Sequence, residues 1–332
     1  MMRLPSFEHK RPASLRQAFD LLKDSSEDSL LVAGGTDLYP NMKRRLCEPR
    51  TLISLARIRR LKRIIGDQNS GVEIGANTVL SDLGADPVVA KYYTGLSEAA
   101  TQIASPQIRG TGTIGGNLCQ DTRCNYYDMS YAWRSGVNFC LKHGGNVCHV
   151  ASGSKRCWAV FASDIAPACM AIGSRLRLAS SRGERTMPAG ELYQNDGAAH
   201  LRKSKDEILT DLLLPPSDGL ISTYLKLRRR DAMDFPILGV AAAVRLDSKG
   251  NCRYAKIVLG AIGSCPVQVA EAEQILLGKR LTQDTIESVA TAAYRVAKPL
   301  DNTDLTFSYR KSMTKVYVSD ALTKLAAKAE YS

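Results

Sequence analysis

The chain has 332 residues, of which 44% are hydrophobic, enough for one large folded domain or two of ordinary size. No hydrophobic run approaches the roughly 20 residues of a membrane-spanning helix, and the N-terminal residues lack the apolar stretch of a secretory signal, which predicts a cytoplasmic protein without a membrane partner. The formal net charge of +12 is compatible with solvated faces, an acidic partner or a polyphosphate ligand. A nucleic-acid partner is not expected, because basic and aromatic residues are not interleaved and no nucleic-acid motif is present.

The hydrophobic pattern predicts helices and strands in mixed order. In the first two thirds of the chain it predicts helices at 14–22 and 88–104, and strands at 29–33, 51–55, 72–74, 175–179 and 207–214. In the last third it predicts strands at 223–227, 238–246 and 253–261, then helices at 270–277, 285–297 and 309–326. Pro215 and Pro216 close the first part, so a domain boundary is expected at 215–220. This mixed order predicts an α+β fold in both domains.

Two glycine-containing segments share a plan: Val32–Leu38 (VAGGTDL) and Thr113–Leu118 (TIGGNL). Paired glycines let backbone amides approach an anion closely and tolerate positive φ. Side chains beside them could bond phosphate or ribityl hydroxyls: Thr36, Asp37, Thr113 and Asn117. One such segment is typical of a plain tight turn. Two of them, about 80 residues apart, indicate one long diphosphate ligand held between two loops.

Gly110–Gly115 also spells G-x-G-x-x-G, but we do not interpret it as a Rossmann site. That fingerprint requires a preceding strand, a following helix and an acidic residue about 20 positions later. Here Ser105 and Pro106 precede it, a cysteine-rich segment follows, and position 135 is a serine.

Nine cysteines are many for a chain expected in a reducing compartment, and their density indicates metal or redox chemistry. Five of them share one segment: Cys119, Cys124, Cys140, Cys148 and Cys157. After Cys124 the intervals are 15, 7 and 8 residues, unlike zinc-finger pairs, although His143 and His149 keep a mixed zinc site open. Basic and aromatic neighbours suit an anionic iron–sulfur cluster. The residues alone leave open a cluster, a zinc site or unliganded thiols; the scattered cysteines are expected to be small buried residues: Cys47, Cys169, Cys252 and Cys265.

Several motifs in fixed order resemble a known family. VAGGTDL, TIGGNLC and ASDIAPA (Ala162–Ala168), followed by YLKLRRRD (Tyr224–Asp231) and KPLDNTD (Lys298–Asp304), resemble the FAD-binding subunits of the molybdenum hydroxylases, which include xanthine and carbon monoxide dehydrogenases. The resemblance implies a two-part FAD-binding domain of the vanillyl-alcohol-oxidase type at 1–216. A smaller α+β domain, like the C-terminal domain of carbon monoxide dehydrogenase flavoproteins, would follow at 220–330.

The same resemblance implies which residues hold FAD. They are Leu31, Val32, Ala33, Gly34, Gly35, Thr36, Asp37 and Leu38 from the first segment, Gly112, Thr113, Gly115, Gly116 and Asn117 from the second, and Asp164 and Lys226 near the ribityl chain or the ring. For the last two, an ordinary surface salt bridge is the alternative interpretation.

The sequence departs from most members of this family by an insertion of about 40 residues, at about 120–160. The insertion resembles that of the β subunits of 4-hydroxybenzoyl-CoA reductases, which implies a [4Fe-4S] cluster held by Cys124, Cys140, Cys148 and Cys157, with Cys119 outside the ligand set.

The resemblance also implies partners and a role. A molybdopterin-binding large subunit and a small subunit with two [2Fe-2S] clusters would complete a dimer of heterotrimers. This chain, with no catalytic residue of its own, would pass electrons from reduced ferredoxin through the cluster and FAD towards molybdenum, for reductive dehydroxylation to benzoyl-CoA. Two alternatives stay open: the FAD subunit of a related molybdenum hydroxylase acting on another aromatic or heterocyclic substrate, and a flavin/iron–sulfur adaptor of another complex.

Overall fold

The computed structural model describes residues 3–24 and 28–330, and within these ranges the chain forms twelve strands and twelve α-helices. The strands are β1 (Glu8–Lys10), β2 (Ser29–Val32), β3 (Thr51–Ser54), β4 (Ile64–Asp67), β5 (Gly71–Gly75), β6 (Arg175–Ser180), β7 (Gly183–Pro188), β8 (Ile208–Leu214), β9 (Ile221–Leu227), β10 (Leu238–Leu246), β11 (Cys252–Gly260) and β12 (Val267–Gln268). The helices are α1 (Leu15–Asp24), α2 (Leu38–Lys43), α3 (Leu80–Ala85), α4 (Pro87–Tyr92), α5 (Thr94–Thr101), α6 (Pro106–Arg109), α7 (Ile114–Leu118), α8 (Tyr131–Gly136), α9 (Ile165–Ala171), α10 (Ala270–Leu276), α11 (Gln283–Val296) and α12 (Phe307–Glu330). The sequence predicts no secretory signal at the N-terminus. The first two residues of that segment, 1 and 2, lie outside the described residues. None of the helices within the described ranges could span a lipid bilayer.

The N-terminal sheet is parallel and has the strand order β1-β3-β2. Parallel neighbours need crossover connections, and α1 and α2 supply them. Helix α1 carries Leu15, Ala18 and Leu22 on one face, which packs on Ile53 of β3. Because parallel strands end at the same edge of a sheet, the turn after β2 lies at an edge where α/β folds commonly bind ligands.

The second sheet is antiparallel and has the order β4-β5-β8-β6-β7. Strand β5 pairs with β8, although helices α3 to α9, the insertion and two strands separate them in sequence. The inner face of this sheet shares one hydrophobic core with α3, α5 and α9. The long connection after β5 therefore leaves and re-enters a single packed unit.

The third sheet, β12-β11-β10-β9, lies between two helical layers. Ala241 and Ala243 of β10 face the core shared with α5 and α9, whereas Val240 and Val244 face the core of α10 to α12. Small residues permit close packing on the first side: a Cβ at Gly260 would lie only 2.7 Å from Pro167 Cγ of α9. The C-terminal part is thus packed directly on the N-terminal part.

All predicted strands are confirmed to within two residues, but the single helix predicted over 88–104 is wrong. The chain forms α4 and α5 instead, separated by Tyr93, whose φ of −126° and ψ of 50° are not helical. The Tyr93 side chain is buried, and its hydroxyl donates to the Pro215 carbonyl at 2.6 Å. This tertiary contact overrides a periodic pattern that continues across the break.

Candidate cofactor sites

The two glycine segments lie against each other. Gly34 packs so closely on Thr111 that a Cβ at position 34 would overlap the Thr111 carbonyl oxygen. Gly35 has a φ of +72°, in the left-handed region, and a Cβ there would overlap the ring of Tyr39. Glycine alone satisfies both constraints without strain. Two segments that are distant in sequence therefore form one continuous backbone surface.

The second glycine turn is held by hydrogen bonds to the protein on one side and is exposed on the other. Thr113 is the N-cap of α7, and its Oγ1 accepts from the Gly116 N–H at 3.1 Å. The Gly115 N–H donates to the Ala76 carbonyl, just after β5, at 2.7 Å. Gly116 is exposed, and among the described residues a Cβ there would contact Thr113 Oγ1 alone. The turn therefore leaves space in which a ligand could approach the backbone.

The predicted residues of the first segment run from a strand into a helix. Strand β2 ends at Val32, five residues form the turn, and α2 begins at Leu38. A Cβ at Gly112 would lie 3.3 Å from Thr36 Oγ1, so the side chains of this turn also border the second segment. The structure thus brings both predicted groups together; their contacts with FAD stay a prediction.

Asn117 connects the second turn to the segment that precedes α9. Its buried Oδ1 accepts from the Ser163 Oγ at 2.7 Å and from the Ile165 N–H at 3.2 Å. The side-chain oxygen of Asn117 is therefore already hydrogen-bonded within the protein, and these bonds hold Asp164 next to the turn.

Asp164 and Lys226 form a buried ion pair, so the surface salt bridge that the sequence left open is excluded. Their side chains are 4% and 0% exposed, and Lys226 Nζ lies 3.2 Å from Asp164 Oδ1. The Tyr224 hydroxyl donates to the same carboxylate at 2.8 Å, and Lys226 Nζ donates to the Gln102 carbonyl at 3.1 Å. Burial raises the pKa of the Asp164 carboxyl, with Lys226 and Tyr224 acting in the opposite direction. The pair joins α9 to β9 of the C-terminal sheet.

Four cysteines of the insertion line one pocket: Cys124, Cys140, Cys148 and Cys157. The other lining residues are mostly aromatic or apolar: Tyr126, Tyr127, Leu141, Lys142, His149, Val150 and Ala159. Three of the thiols are buried and that of Cys140 is half-buried. The structure brings the four predicted ligands to one space; their role as ligands stays a prediction.

Backbone amides already point at two of these sulfurs. The Ala159 N–H donates to Cys157 Sγ at 3.3 Å, and the N–H groups of Tyr126 and Tyr127 bond the Cys124 thiol. Burial raises the pKa of the Cys157 thiol to about 11 and also raises the pKa of Cys124, while these amides act in the opposite direction. N–H groups directed at sulfur stabilise thiolate and are typical of iron–sulfur surroundings.

Cys119 is not part of this pocket. It is the C-cap of α7 and packs against the main hydrophobic core, where burial raises the pKa of its thiol. Of the two histidines considered for zinc, His149 lines the pocket, whereas His143 contacts the rings of Phe139 and Tyr127. Across residues 3–24 and 28–330, no group of three or more His, Cys, Asp or Glu side chains is arranged to hold a metal ion.

Two buried cations lie in the insertion, and both belong to the basic residues that the sequence places beside the cysteines. Lys142 lines the pocket, and its side chain is 6% exposed. Arg134 is buried in α8 and donates to the carbonyls of Met129, Arg44 and Arg45, while its Nη1 has no hydrogen-bond partner in the described part of the chain. Buried positive charge beside thiols favours an anionic occupant.

The insertion is fastened at its base and at its side. Arg123 and Val160 exchange backbone hydrogen bonds of 2.8 and 2.7 Å, which close the two ends of the insertion. From the C-terminal domain, the Asn302 carbonyl accepts from the Asn125 N–H at 2.8 Å, and Asn302 Nδ2 donates to the Trp158 carbonyl at 2.6 Å. Asn302 lies in the KPLDNTD motif, so that motif supports the insertion.

Comparisons with known proteins identify the class to which this arrangement belongs. Residues 5–217 match the FAD binding domain in molybdopterin dehydrogenase, and residues 222–325 match the CO dehydrogenase flavoprotein C-terminal domain. The chain belongs to the molybdenum hydroxylase family as its FAD-binding subunit, and it is therefore a subunit of an oxidoreductase. The predicted two-part α+β architecture is confirmed.

Particular relatives extend over nearly the whole chain. It is 28% identical to the carbon monoxide dehydrogenase medium chain of Hydrogenophaga pseudoflava over 319 residues, 96% of each chain. It is 27% identical to the nicotinate dehydrogenase FAD-subunit of Eubacterium barkeri over 288 residues, 86% of this chain and 84% of that one. The solved structure of the Hydrogenophaga carbon monoxide dehydrogenase lacking the Mo-pyranopterin moiety superposes with a TM-score of 0.79, at 28% identity and coverage of 97% and 98% of the two chains.

Proposed function

We propose that this chain carries FAD on the joined glycine turns and a [4Fe-4S] cluster in the cysteine pocket, and that it transfers electrons to the other subunits of a molybdenum enzyme. The observation that carries the proposal is the convergence of four insertion cysteines on one pocket, in a chain that belongs to an FAD-binding family.

In this proposal the backbone of Gly34 to Asp37 contacts the FAD diphosphate from one side, and Gly115 to Asn117 close from the other. The left-handed Gly35 and the open face of Gly116 support this arrangement, because both expose backbone rather than side chain. Asp164 and Lys226 border the ribityl chain or the ring, and their ion pair holds the C-terminal sheet beside the turn.

We assign Cys124, Cys140, Cys148 and Cys157 as the cluster ligands. The amides that bond two of the sulfurs, the apolar lining and the buried cation Lys142 all suit a negatively charged cluster. FAD and such a cluster, when bound, supply electron transfer; the chain binds them, orients them and excludes water around them.

We further propose that the complex is a 4-hydroxybenzoyl-CoA reductase, with a molybdopterin subunit, a small subunit holding two [2Fe-2S] clusters, and ferredoxin as donor, assembled as a dimer of heterotrimers. The insertion and its cysteines support this assignment. We place the FAD-binding domain at 1–216, with the insertion at about 120–160, and the second domain at 220–330, since the prolines that follow β8 connect the two.

A second candidate is a related molybdenum hydroxylase that acts on another aromatic or heterocyclic substrate. It is favoured by the relatives, because one at 27% identity is a nicotinate dehydrogenase FAD-subunit. Substrate would bind the large subunit in either case. The two candidates differ in the direction of electron flow, which is towards molybdenum in the reductase and away from molybdenum in a hydroxylase that oxidises its substrate.

Anaerobic purification of the complex tests both proposals. We expect one flavin and about four irons in this chain, without zinc, and reduction of 4-hydroxybenzoyl-CoA by reduced ferredoxin. Oxidation of nicotinate or another heterocycle instead would establish the second candidate. Because the small subunit's two [2Fe-2S] clusters contribute about four irons of their own, the cluster predicts about eight irons per heterotrimer. Flavin with only about four irons per heterotrimer would refute the cluster and leave the insertion as a docking loop.

Single substitutions identify the ligands. Cys124→Ala, Cys140→Ala, Cys148→Ala and Cys157→Ala should each remove or damage the cluster while FAD remains. Cys119→Ala is the matched control, because it removes a thiol that packs against the main core outside the pocket. An iron-free Cys119→Ala beside an iron-replete Cys157→Ala would overturn the assignment.

A further inference from the structure

The Asp37 carboxylate contacts the insertion. Its Oδ2 accepts from the Asp121 N–H at 3.0 Å, and its Oδ1 forms an ion pair with Arg123 Nη2. Asp37 is also the N-cap of α2, yet it makes no side-chain capping bond within the described residues. The side chains of Asp37 and Arg123 are 24% and 17% exposed, so their pair is partly shielded from water. Both carboxylate oxygens are therefore committed to the base of the insertion.

From Asp121 the contacts continue to the cysteine pocket. Lys142 Nζ donates to Asp121 Oδ1 at 2.7 Å and to the Thr122 carbonyl at 2.8 Å. We call the first glycine turn, residues 33–37, the flavin turn. Because Lys142 lines the pocket, a continuous series of charged and hydrogen-bonded groups joins the flavin turn to the cysteines.

Arg123 strengthens this connection in two further ways. Its guanidinium carbon lies 4.0 Å from the centre of the Phe235 ring, in the connection between β9 and β10. Its backbone is paired with Val160, at the other end of the insertion. An anchor at Arg123 therefore fixes both ends of the insertion at once.

We propose that Asp37 is a positioning residue that fastens the base of the insertion to the flavin turn, and so sets the separation and orientation of the two cofactors. The inference rests on the proposed function for the identity of those cofactors. A carboxylate is poorly suited to contact a diphosphate, because like charges repel. The Asp37 backbone can belong to the FAD turn while its side chain serves the insertion.

Asp37→Asn tests this role, because the amide keeps an oxygen for the Asp121 N–H and loses the charge that holds Arg123. Loss of a hydrogen bond to a charged group should speed amide hydrogen exchange at 120–124 and 158–161 by about tenfold or more. Flavin and iron contents should stay at the wild-type values, and reduction of the flavin by the cluster should slow. Arg123→Met should reproduce these effects, and Arg123→Lys should recover part of the protection.

Glu207→Gln is the control, since it breaks a partly buried pair, Arg185 with Glu207, that touches neither the insertion nor the flavin turn. It should leave exchange at 120–124 unchanged. Loss of FAD from Asp37→Asn with unchanged exchange would make Asp37 a flavin ligand and overturn the proposal, as would wild-type exchange and electron transfer in both Asp37→Asn and Arg123→Met. Absence of a [4Fe-4S] cluster from the wild-type chain would refute the proposed function instead, and the exchange comparison would still decide whether Asp37 anchors the insertion.

Discussion

Replacement of Gly35 by alanine should weaken FAD binding, because the turn cannot keep its backbone conformation. The φ of +72° costs a residue with a Cβ about 1–2 kcal/mol. The new Cβ would also overlap the Tyr39 ring, and relief of such overpacking typically costs about 1–3 kcal/mol more. The turn is expected to relax, and FAD must then restore it on binding. Since about 1.4 kcal/mol is a factor of ten, affinity should fall by at least about tenfold.

Titration of the apoprotein with FAD, followed by flavin fluorescence, measures this loss as a change in Kd. Gly278→Ala is the matched control: its φ is +73°, and a Cβ there would meet no described atom within 4 Å. It should lower the free energy of unfolding by about 1–2 kcal/mol and leave the Kd for FAD unchanged. Adding Tyr39→Ala to Gly35→Ala removes the overlap but not the strain in φ, so it should recover part of the affinity.

Gly35→Ala with the wild-type Kd, beside a Gly278→Ala that is destabilised as expected, would refute this reasoning. The turn would then either lie away from FAD or adapt without cost. Gly35→Val should empty the site more completely; full flavin content in that variant would exclude the turn from the FAD site altogether. The sequence offers one cause for such a loss, because a side chain at position 35 would keep the backbone amides from approaching an anion closely. In the structure, φ and the Tyr39 ring are sufficient causes.

Three further outcomes can be tested. Asp164→Ala removes the nearer carboxylate from the buried Lys226 and leaves it Asp234 Oδ1 at 3.8 Å, so it should cost about 3 kcal/mol in urea unfolding, the lower end for a broken buried pair. Glu287→Gln, which breaks an exposed pair, should cost less than about 1 kcal/mol. Similar losses in the two variants would contradict the buried pair. Burial of Glu98 acts to raise the pKa of its carboxyl, but hydrogen bonds from Thr223, the Tyr224 N–H and a lysine outweigh it and hold this pKa below the ordinary 4.5. The stability advantage of the wild type over Glu98→Gln should therefore be complete above pH 4.5 and disappear as the pH falls through the lowered pKa. An advantage that does not change with pH would argue against this. The chain alone should not turn over 4-hydroxybenzoyl-CoA, and activity should require the partner subunits; turnover by the lone chain at the rate of the complex would refute the three-subunit assignment.

The sequence predicted the strands better than the helix over 88–104, because a contact with a distant part of the chain divides that helix. A strand such as β10 begins with seven consecutive buried residues, 238–244, and its end is set by the turn that follows. The segment 88–104 is as hydrophobic, but its helical period continues through Tyr93, where a buried ring and a hydrogen bond to the Pro215 carbonyl break the helix. No local pattern reports a contact with a residue more than a hundred positions away.

The same distinction holds at the candidate site. Glycine pairs and cysteines are visible in sequence, because their chemistry depends on residue type. The sequence does not show that Gly34 packs on the Thr111 backbone or that the Asp37 side chain pairs with Arg123, because both contacts join segments that are distant along the chain. From the sequence alone, the Asp37 side chain is expected to contact the ligand. Lys226 illustrates the same limit of the sequence, which left open whether this lysine borders the cofactor or forms an exposed salt bridge. Its burial in the structure excludes the exposed salt bridge.

The place of the insertion follows from how its ends are held. Asn117, which precedes the insertion, accepts hydrogen bonds from Ser163 and Ile165, which follow it. These bonds join the second glycine turn to the segment that precedes α9. Closer to the insertion, Arg123 and Val160 are joined by paired backbone hydrogen bonds. The chain can therefore leave and return between these two contacts without displacing either glycine turn. The proposed cluster site would therefore lie beside the proposed FAD site because the chain is continuous, and Asp37 would need only to fix its orientation.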